Sequence, residues 1–274
     1  TDLGKACASK KISTKTFVLL RQWLSGPSPV NEFAAFYYCS QAGELYRINM
    51  STQEFHSNGY VKYIRQNHEA LAIPTPILEQ LGQSTQRELG YDRTKQLKTT
   101  LLAREWIHGR QYRELEEAFR LAAGPIRSMS EGLAWIVDSA AQFAPLLGRS
   151  HTDADMLSTI AERLRYGVPE DMLAVARLRV PGVNRTQMMR LRAQGYNSLD
   201  AILDADLADF QGVISQSVAA RLQEHIQRSM NDSLGRQRRG QVLRLQSLGV
   251  DTALLEALYE HTGKQLEITL CDLF

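Results

Sequence analysis

The chain has 274 residues, 43% of them hydrophobic, and its 32 Lys and Arg against 30 Asp and Glu leave a net charge of +2. That apolar share suits packed cores over about two domains and excludes wholesale disorder. The near-neutral balance excludes a global basic field, so any polyanion site has to be a local patch.

Nearly every segment repeats its apolar residues at helical spacing, and Val/Ile-rich alternating runs are scarce. The reading is an all-α protein. Ser13 or Thr14 can cap a helix through Trp23–Leu24, stopped by Ser25, Gly26 and Pro27. Val30–Ala42 is a second helix, Thr52–Ala70 holds one or two more, and Pro74 and Pro76 break the chain before Ile77–Leu81. Asp92–His108 places Leu97, Leu101 and Leu102 on one side. Tyr112, Leu115 and Phe119 mark the next, shorter helix. Gly124–Pro125 opens a long helix closed by Gly148, since Pro is pre-organised for a first helical position. His151–Gly167 follows. The next helix starts at Pro169–Glu170–Asp171, its acids well placed against the helix dipole. A second helix pair runs from Ser198 to Met230 around Gly212. Asn231–Gly240 is polar and Arg-rich and reads as a linker or exposed turn. Gln241–His261 is a last helical segment with a break at Gly249, and Leu266–Leu270 is extended.

Between these elements, Arg177–Leu199 reads as two helices joined by a tight Pro181–Gly182 hairpin. It contains Arg177, Arg179, Arg185, Arg190 and Arg192, and no acid lies between Asp171 and Asp200. A hairpin of this kind points backbone N–H groups and a helix N-terminus at a phosphate, and its glycine permits close approach. The arginines attract a polyanion of any sequence. Arg179, Gly182, Val183, Asn184, Arg185, Arg190 and Arg192 are therefore candidate nucleic-acid contacts.

Helix Gly124–Leu147 has Ile126, Met129, Leu133, Ile136, Val137, Ala140, Ala144 and Leu147 on one face. Arg127, Ser128, Glu131, Asp138 and Gln142 lie opposite, with Trp135 in their midst. A large aromatic on a polar face needs a reason. Trp135 is either a platform on which a base stacks or a residue packed under a neighbouring helix or loop. Arg127 is either a phosphate contact or a solvated first-turn arginine.

Cys7, Cys39 and Cys271 form no CxxC pair, and the six histidines show no HxxxH spacing. A structural zinc site or a disulfide framework is not expected, and a reducing interior, cytoplasmic or nucleoid, fits. No apolar run reaches membrane-spanning length, and Thr1–Lys11 is no signal peptide. A start at Thr1 rather than Met suits a fragment of a longer chain.

The order of parts resembles the helical ratchet domain of superfamily-two DNA-repair helicases, namely the archaeal repair helicases and the helicase half of DNA polymerase theta. The resemblance is carried by Trp106–Ile107, Tyr112, Glu114–Leu115, Gly124, Ile126–Arg127, Glu131 and Trp135–Ile136. Thr1, Leu3 and Gly4 resemble the end of that family's winged-helix domain, and Ser13–Leu24 resembles its first ratchet helix. Leu178–Ile202 is similar to the helix-hairpin-helix after the ratchet. The resemblance covers Thr1 to about Met230. It implies that the long helix crosses single-stranded DNA, with Arg127 on the backbone and Trp135 stacked on a base. Arg236, Arg238 and Arg239 resemble the basic motif of the family's C-terminal helical domain, which adds Arg238 and Arg239 to the candidates. The sequence departs from the pattern at Pro125, at Ser128, and at Asn184, which replaces the hairpin's second glycine. Asn tolerates left-handed backbone, which would preserve the turn.

Helicase chemistry needs a Walker A loop and a magnesium-placing acid. The sequence has no GxxxxGKS or GxxxxGKT and no DExH or DExD box. No catalytic or metal-binding residue is assigned, and no cofactor is expected in this fragment. ATP and Mg belong to the motor domains of a parent helicase. The expected architecture is a ratchet-like helical bundle over residues 1–165, a helix-hairpin-helix domain over 166–230 and a small helical tail over 231–274. The expected task is to grip single-stranded or forked DNA without reading sequence, with RNA also possible. The expected partners are the parent's motor and winged-helix domains, with no membrane. Two alternatives stand beside this: a helix-hairpin-helix glycosylase using Asp200, or a protein-interaction scaffold.

Overall fold

The computed structural model describes residues 2–45, 48–57, 59–248, 252, 253 and 259. All of their regular elements are helices. In chain order these are α1 (Asp2–Lys10), α2 (Thr14–Leu24), α3 (Glu32–Cys39), α4 (Thr52–Ser57), α5 (Tyr60–Gln66), α6 (Thr75–Leu81), α7 (Gln86–Leu89), α8 (Tyr91–Ile107), α9 (Tyr112–Phe119), α10 (Ala123–Leu146) and α11 (His151–Tyr166). They are followed by α12 (Leu173–Leu178), α13 (Arg185–Ala193), α14 (Leu199–Leu203) and α15 (Gln216–Ser247). The chain divides into two compact units. One takes Thr1–Arg177 with Asn184–Asn197, the other Leu178–Val183 with Ser198–Phe274.

The first unit is organised around α10. Ile126, Met129, Leu133, Ile136 and Val137 are fully buried, as the helical spacing predicts. They join a core with Leu20 and Trp23 of α2, Phe33 and Phe36 of α3, Leu97 and Leu102 of α8, and Leu157 and Leu164 of α11. Burying each such side chain contributes about 1.5–3 kcal/mol, so this face fixes the place of α10. Helices α11, α8, α3 and α2 pack on it, and α1 lies against it as well.

Side-chain caps set where the helices begin. Ser13 accepts from Thr16 N–H at α2 and Asn31 from Ala34 N–H at α3. Ser150 and Asp153 form a capping box at α11. Arg149 donates to the carbonyls of Leu24, Gly26 and Ser28, which ties the end of α2 to the start of α11. Two ionic clusters brace the bundle. Lys98 is buried on α8, 2.7 Å from the equally buried Glu54 of α4, and Tyr60 donates to that carboxylate. Glu32, at the start of α3, receives His108 at 2.7 Å and Arg163 at 3.0 Å.

In the second unit, α14 and the 3-10 turn Leu207–Phe210 pack on the first half of α15. Ile202, Phe210, Ala219, Leu222 and Ile226 are buried there. One sequence expectation is corrected: Asn231–Gly240 is no linker but lies within the unbroken helix α15. Arg and Gln sustain a helix by propensity, and neither Gly235 nor Gly240 interrupts it. The break expected at Gly249 and the strand expected at Leu266–Leu270 fall outside the described residues.

Candidate nucleic-acid interface

Three helix ends meet in the first unit around a cleft of about 420 Å3. Arg127, near the start of α10, stands on one side. Arg165 and Tyr166 come from the last turn of α11, and Asn184, Arg185 and Thr186 from the first turn of α13. Trp106 and Tyr112 line it from α8 and α9. Local chemistry builds these ends. Gly167 adopts φ 68° and turns the chain out of α11, its N–H donating to Arg163 O at 2.7 Å. Asn184 starts α13 as its N-cap.

Asn184 does not take the left-handed conformation expected of it. It is extended, φ −88° and ψ 179°, and its Oδ1 accepts from the N–H groups of Thr186 (2.9 Å) and Gln187 (3.3 Å). Those two amides are spent on the cap, so α13 offers the cleft its positive dipole end but not those donors.

Arg185, expected on a phosphate, is turned into the protein. Its Nε donates to Gly167 O at 2.6 Å, and its Nη2 to Trp106 O at 3.1 Å and Arg110 O at 2.7 Å. The guanidinium lies 4.1 Å from the Trp106 ring centre and 5.2 Å from that of Tyr112. Burial pulls its pKa down to about 10, against a smaller opposing influence of Tyr112. It stays charged at neutral pH and bolts α13 to the ends of α8 and α11.

Arg127 is exposed and paired at 2.9 Å with Glu131, one turn along α10. That hydrogen bond, then the charge of Glu131, raises its pKa. Trp135 lies one turn further on, half-buried, and its indole N–H donates to Lys10 O at 2.9 Å. The packed reading therefore holds in part: α1 is the neighbour that a helical wheel of α10 cannot show. Arg127, Glu131, Trp135 and Asp138 form one stripe along α10, outside the apolar face.

The acid-free run from Asp171 to Asp200 is less free than the sequence suggests. Arg177 pairs with Glu162, and Arg192 with Asp171 at 2.8 Å. Arg190 is exposed on α13. Arg165 and Thr186 were missed by the sequence reading. Arg165 could have been found, because the last turn of a helix is where cations are favoured.

In the second unit Arg179 is exposed in the left-handed region, φ 50°. Gly182 has φ 93°, and a Cβ there would sit 2.9 Å from Val218, so its close approach is to α15. Val183 N–H closes the turn onto Val180 O at 3.0 Å. Arg239 is exposed on α15, and Arg238 lies 5.2 Å from the Tyr259 ring centre. Asp200 is exposed in the first turn of α14, behind the Ser198 cap. Among the described residues no group of His, Cys, Asp and Glu could hold a metal ion, and no helix is long and apolar enough to cross a membrane.

The bundle that presents this cleft matches a known family: residues 33–167 fit the family model described as archaeal helicase, domain 4. This match supports reading the chain as a non-motor, C-terminal part of a helicase. ATP-dependent DNA helicase Hel308 of Aeropyrum pernix is 24% identical over 230 residues, covering 83% of this chain and 29% of that relative. Hel308 of Thermoplasma acidophilum is 23% identical over 205 residues, 75% of this chain and 26% of the relative. Hel308 of Caldivirga maquilingensis is 24% identical over 143 residues, 52% and 19%. The chain thus spans less than a third of each of these relatives. Its matched stretch contains α10 whole, with Arg127 and Trp135, and reaches Gly167 at the cleft.

Proposed function

We propose that this helicase region grips single-stranded DNA by its backbone, without reading sequence, while an ATP-dependent motor elsewhere in the parent protein moves the strand. The observation that carries the reading is the cleft itself. It brings Arg127 of α10 together with exposed Arg165 and the positive end of α13, segments far apart in the chain. Cations gathered on a concave surface attract phosphate whatever the base. Trp135, along the same helix, supplies an aromatic face, and stacking on such a face is sequence-tolerant. The Hel308 relatives are named ATP-dependent DNA helicases, which favours DNA as the strand.

In this reading the parent's motor domains hold ATP and Mg, and this region contributes no hydrolysis of its own. Its partners are single-stranded or forked DNA together with the parent's motor and winged-helix domains, in an intracellular, nucleoid-side setting. The Leu178–Ile202 segment is read as a helix-hairpin-helix, in which Arg179 and Val183 offer the strand one further backbone contact and Arg190 of the first unit another, and Arg238 and Arg239 on α15 add a last one. Arg185 and Asn184 act by building the first cleft rather than by touching the strand.

The test is a salt series with a fluorescent oligonucleotide. Affinity should fall steeply as salt rises, and Arg127→Ala and Arg165→Ala should each make the slope shallower. An affinity indifferent to salt would overturn the proposal, and binding to a protein but to no nucleic acid would install the scaffold reading in its place.

A further inference from the structure

Trp135 differs from the chain's other two tryptophans. Trp23 and Trp106 are each only 2% exposed, whereas Trp135 is half-buried at the edge of the core. Its surroundings are specific. Lys10 is the last residue of α1, and its carbonyl is one of those that a helix end leaves without an internal partner. The indole N–H of Trp135 fills that vacancy at 2.9 Å. The Lys10 ammonium meanwhile reaches the carboxylate of Asp138, with both side chains partly shielded from water, 16% and 35% exposed. Asp138 lies three residues beyond Trp135 and so shares its face of α10. One residue of α1 therefore holds the indole by its only donor and holds α10 beside it by a charge.

An indole turns about two side-chain bonds. With its N–H fixed to a backbone atom, the ring plane is set before anything binds, and an aromatic already held in its bound attitude loses less freedom on stacking. We propose that Lys10 and Asp138 are positioning residues for Trp135, holding its ring in the attitude in which a nucleobase stacks on it. This rests on the reading of Trp135 as a strand contact.

The experiment compares the chain with Lys10→Met, Asp138→Asn, the swap Lys10→Glu/Asp138→Lys, and Trp135→Ala. Oligonucleotide affinity and acrylamide quenching of tryptophan fluorescence are measured, with thermal melting to show that each variant is folded. Because Trp23 and Trp106 are shielded, the quenching lost in Trp135→Ala belongs to Trp135. Lys10→Met and Asp138→Asn should both make Trp135 more quenchable and weaken binding by about two- to fivefold, the size of one partly exposed ion pair. The swap should restore both readouts. General electrostatics predicts a different pattern: loss of the Lys10 charge weakens DNA binding, while loss of the Asp138 charge strengthens it. That opposite-sign result, or unchanged quenching in both single variants, would overturn the positioning role while leaving the stacking contact intact. If Trp135→Ala itself binds as tightly as the parent sequence, the strand contact fails, and the positioning role with it.

Discussion

The guanidinium of Arg185 lies 4.1 Å from the ring centre of Trp106, and the same arginine donates to the carbonyl of that tryptophan. One side chain thereby joins α13 to the end of α8, while Trp106 in turn donates to Leu164 O on α11 at 2.8 Å. The ends of α8, α11 and α13 are thus joined through Trp106.

Arg185→Lys should therefore cost stability before it costs affinity. Lysine lacks the planar fork, so it cannot serve the carbonyls of Gly167, Trp106 and Arg110 together. The expected loss is about 1–3 kcal/mol by denaturant unfolding. An unchanged midpoint would mean that the joint is not structural.

Gly167→Ala attacks the same joint from the other side. A Cβ at this position would sit 2.3 Å from the Trp106 ring and 2.6 Å from Arg185 Nε, on a backbone already at φ 68°. Strain and overpacking together predict a loss of about 2–4 kcal/mol. Differential scanning calorimetry reads it directly, and a melting temperature within a degree of the parent sequence would contradict the geometry.

Glu131→Gln should strengthen binding to a single strand. It releases Arg127 from its partner at 2.9 Å and removes a negative charge from the stripe. The pair is exposed, so the gain is about two- to threefold at low salt, fading as salt rises. Fluorescence anisotropy at two ionic strengths tests both halves of this expectation, and weaker or salt-independent binding would contradict it.

Acid should loosen α3 through Glu32. Burial, the largest single influence, pushes this carboxyl up. The hydrogen bond from His108 and the charges of His108, Arg163 and Arg104 outweigh it, so its pKa lies below the usual carboxylate range. The folded chain therefore favours the ionised form. The stability this contributes is fully present above the ordinary glutamate pKa of about 4.3 and is lost as pH falls through the lowered folded-state value. Unfolding measured from pH 6 down to pH 3 should be less pH-dependent in Glu32→Gln, and parallel curves would remove Glu32 from the account.

The periodicity of α2, α8, α10 and α11 was legible because a helix buries an apolar stripe only when its apolar residues recur at helical spacing, and Leu97, Leu102, Ile126 and Ile136 do. The second half of α15 was not, because Asn231–Gly240 buries no side chain and so has no stripe to read. In the candidate site, Arg127 and Asn184 could be singled out from their own segments. Their meeting in one cleft could not, since it depends on how α10, α11 and α13 pack. The partner of Trp135 was hidden for a similar reason: Lys10 lies 125 residues away in sequence. Arg177 and Arg192 looked unpaired because their acids, Glu162 and Asp171, lie at or before the edge of the acid-free run.

The stripe on α10 also has a length. At about 1.5 Å of rise per residue, Arg127 and Trp135 are about 12 Å apart along the helix axis. Stacked nucleotides advance about 3.4 Å each, so the stretch from the guanidinium to the indole matches about three to four of them. If Arg127 and Trp135 both touch the strand as proposed, the helix works as a ruler: a strand held at both marks has a footprint of that many bases, and any shorter oligonucleotide can reach one mark or the other but not both.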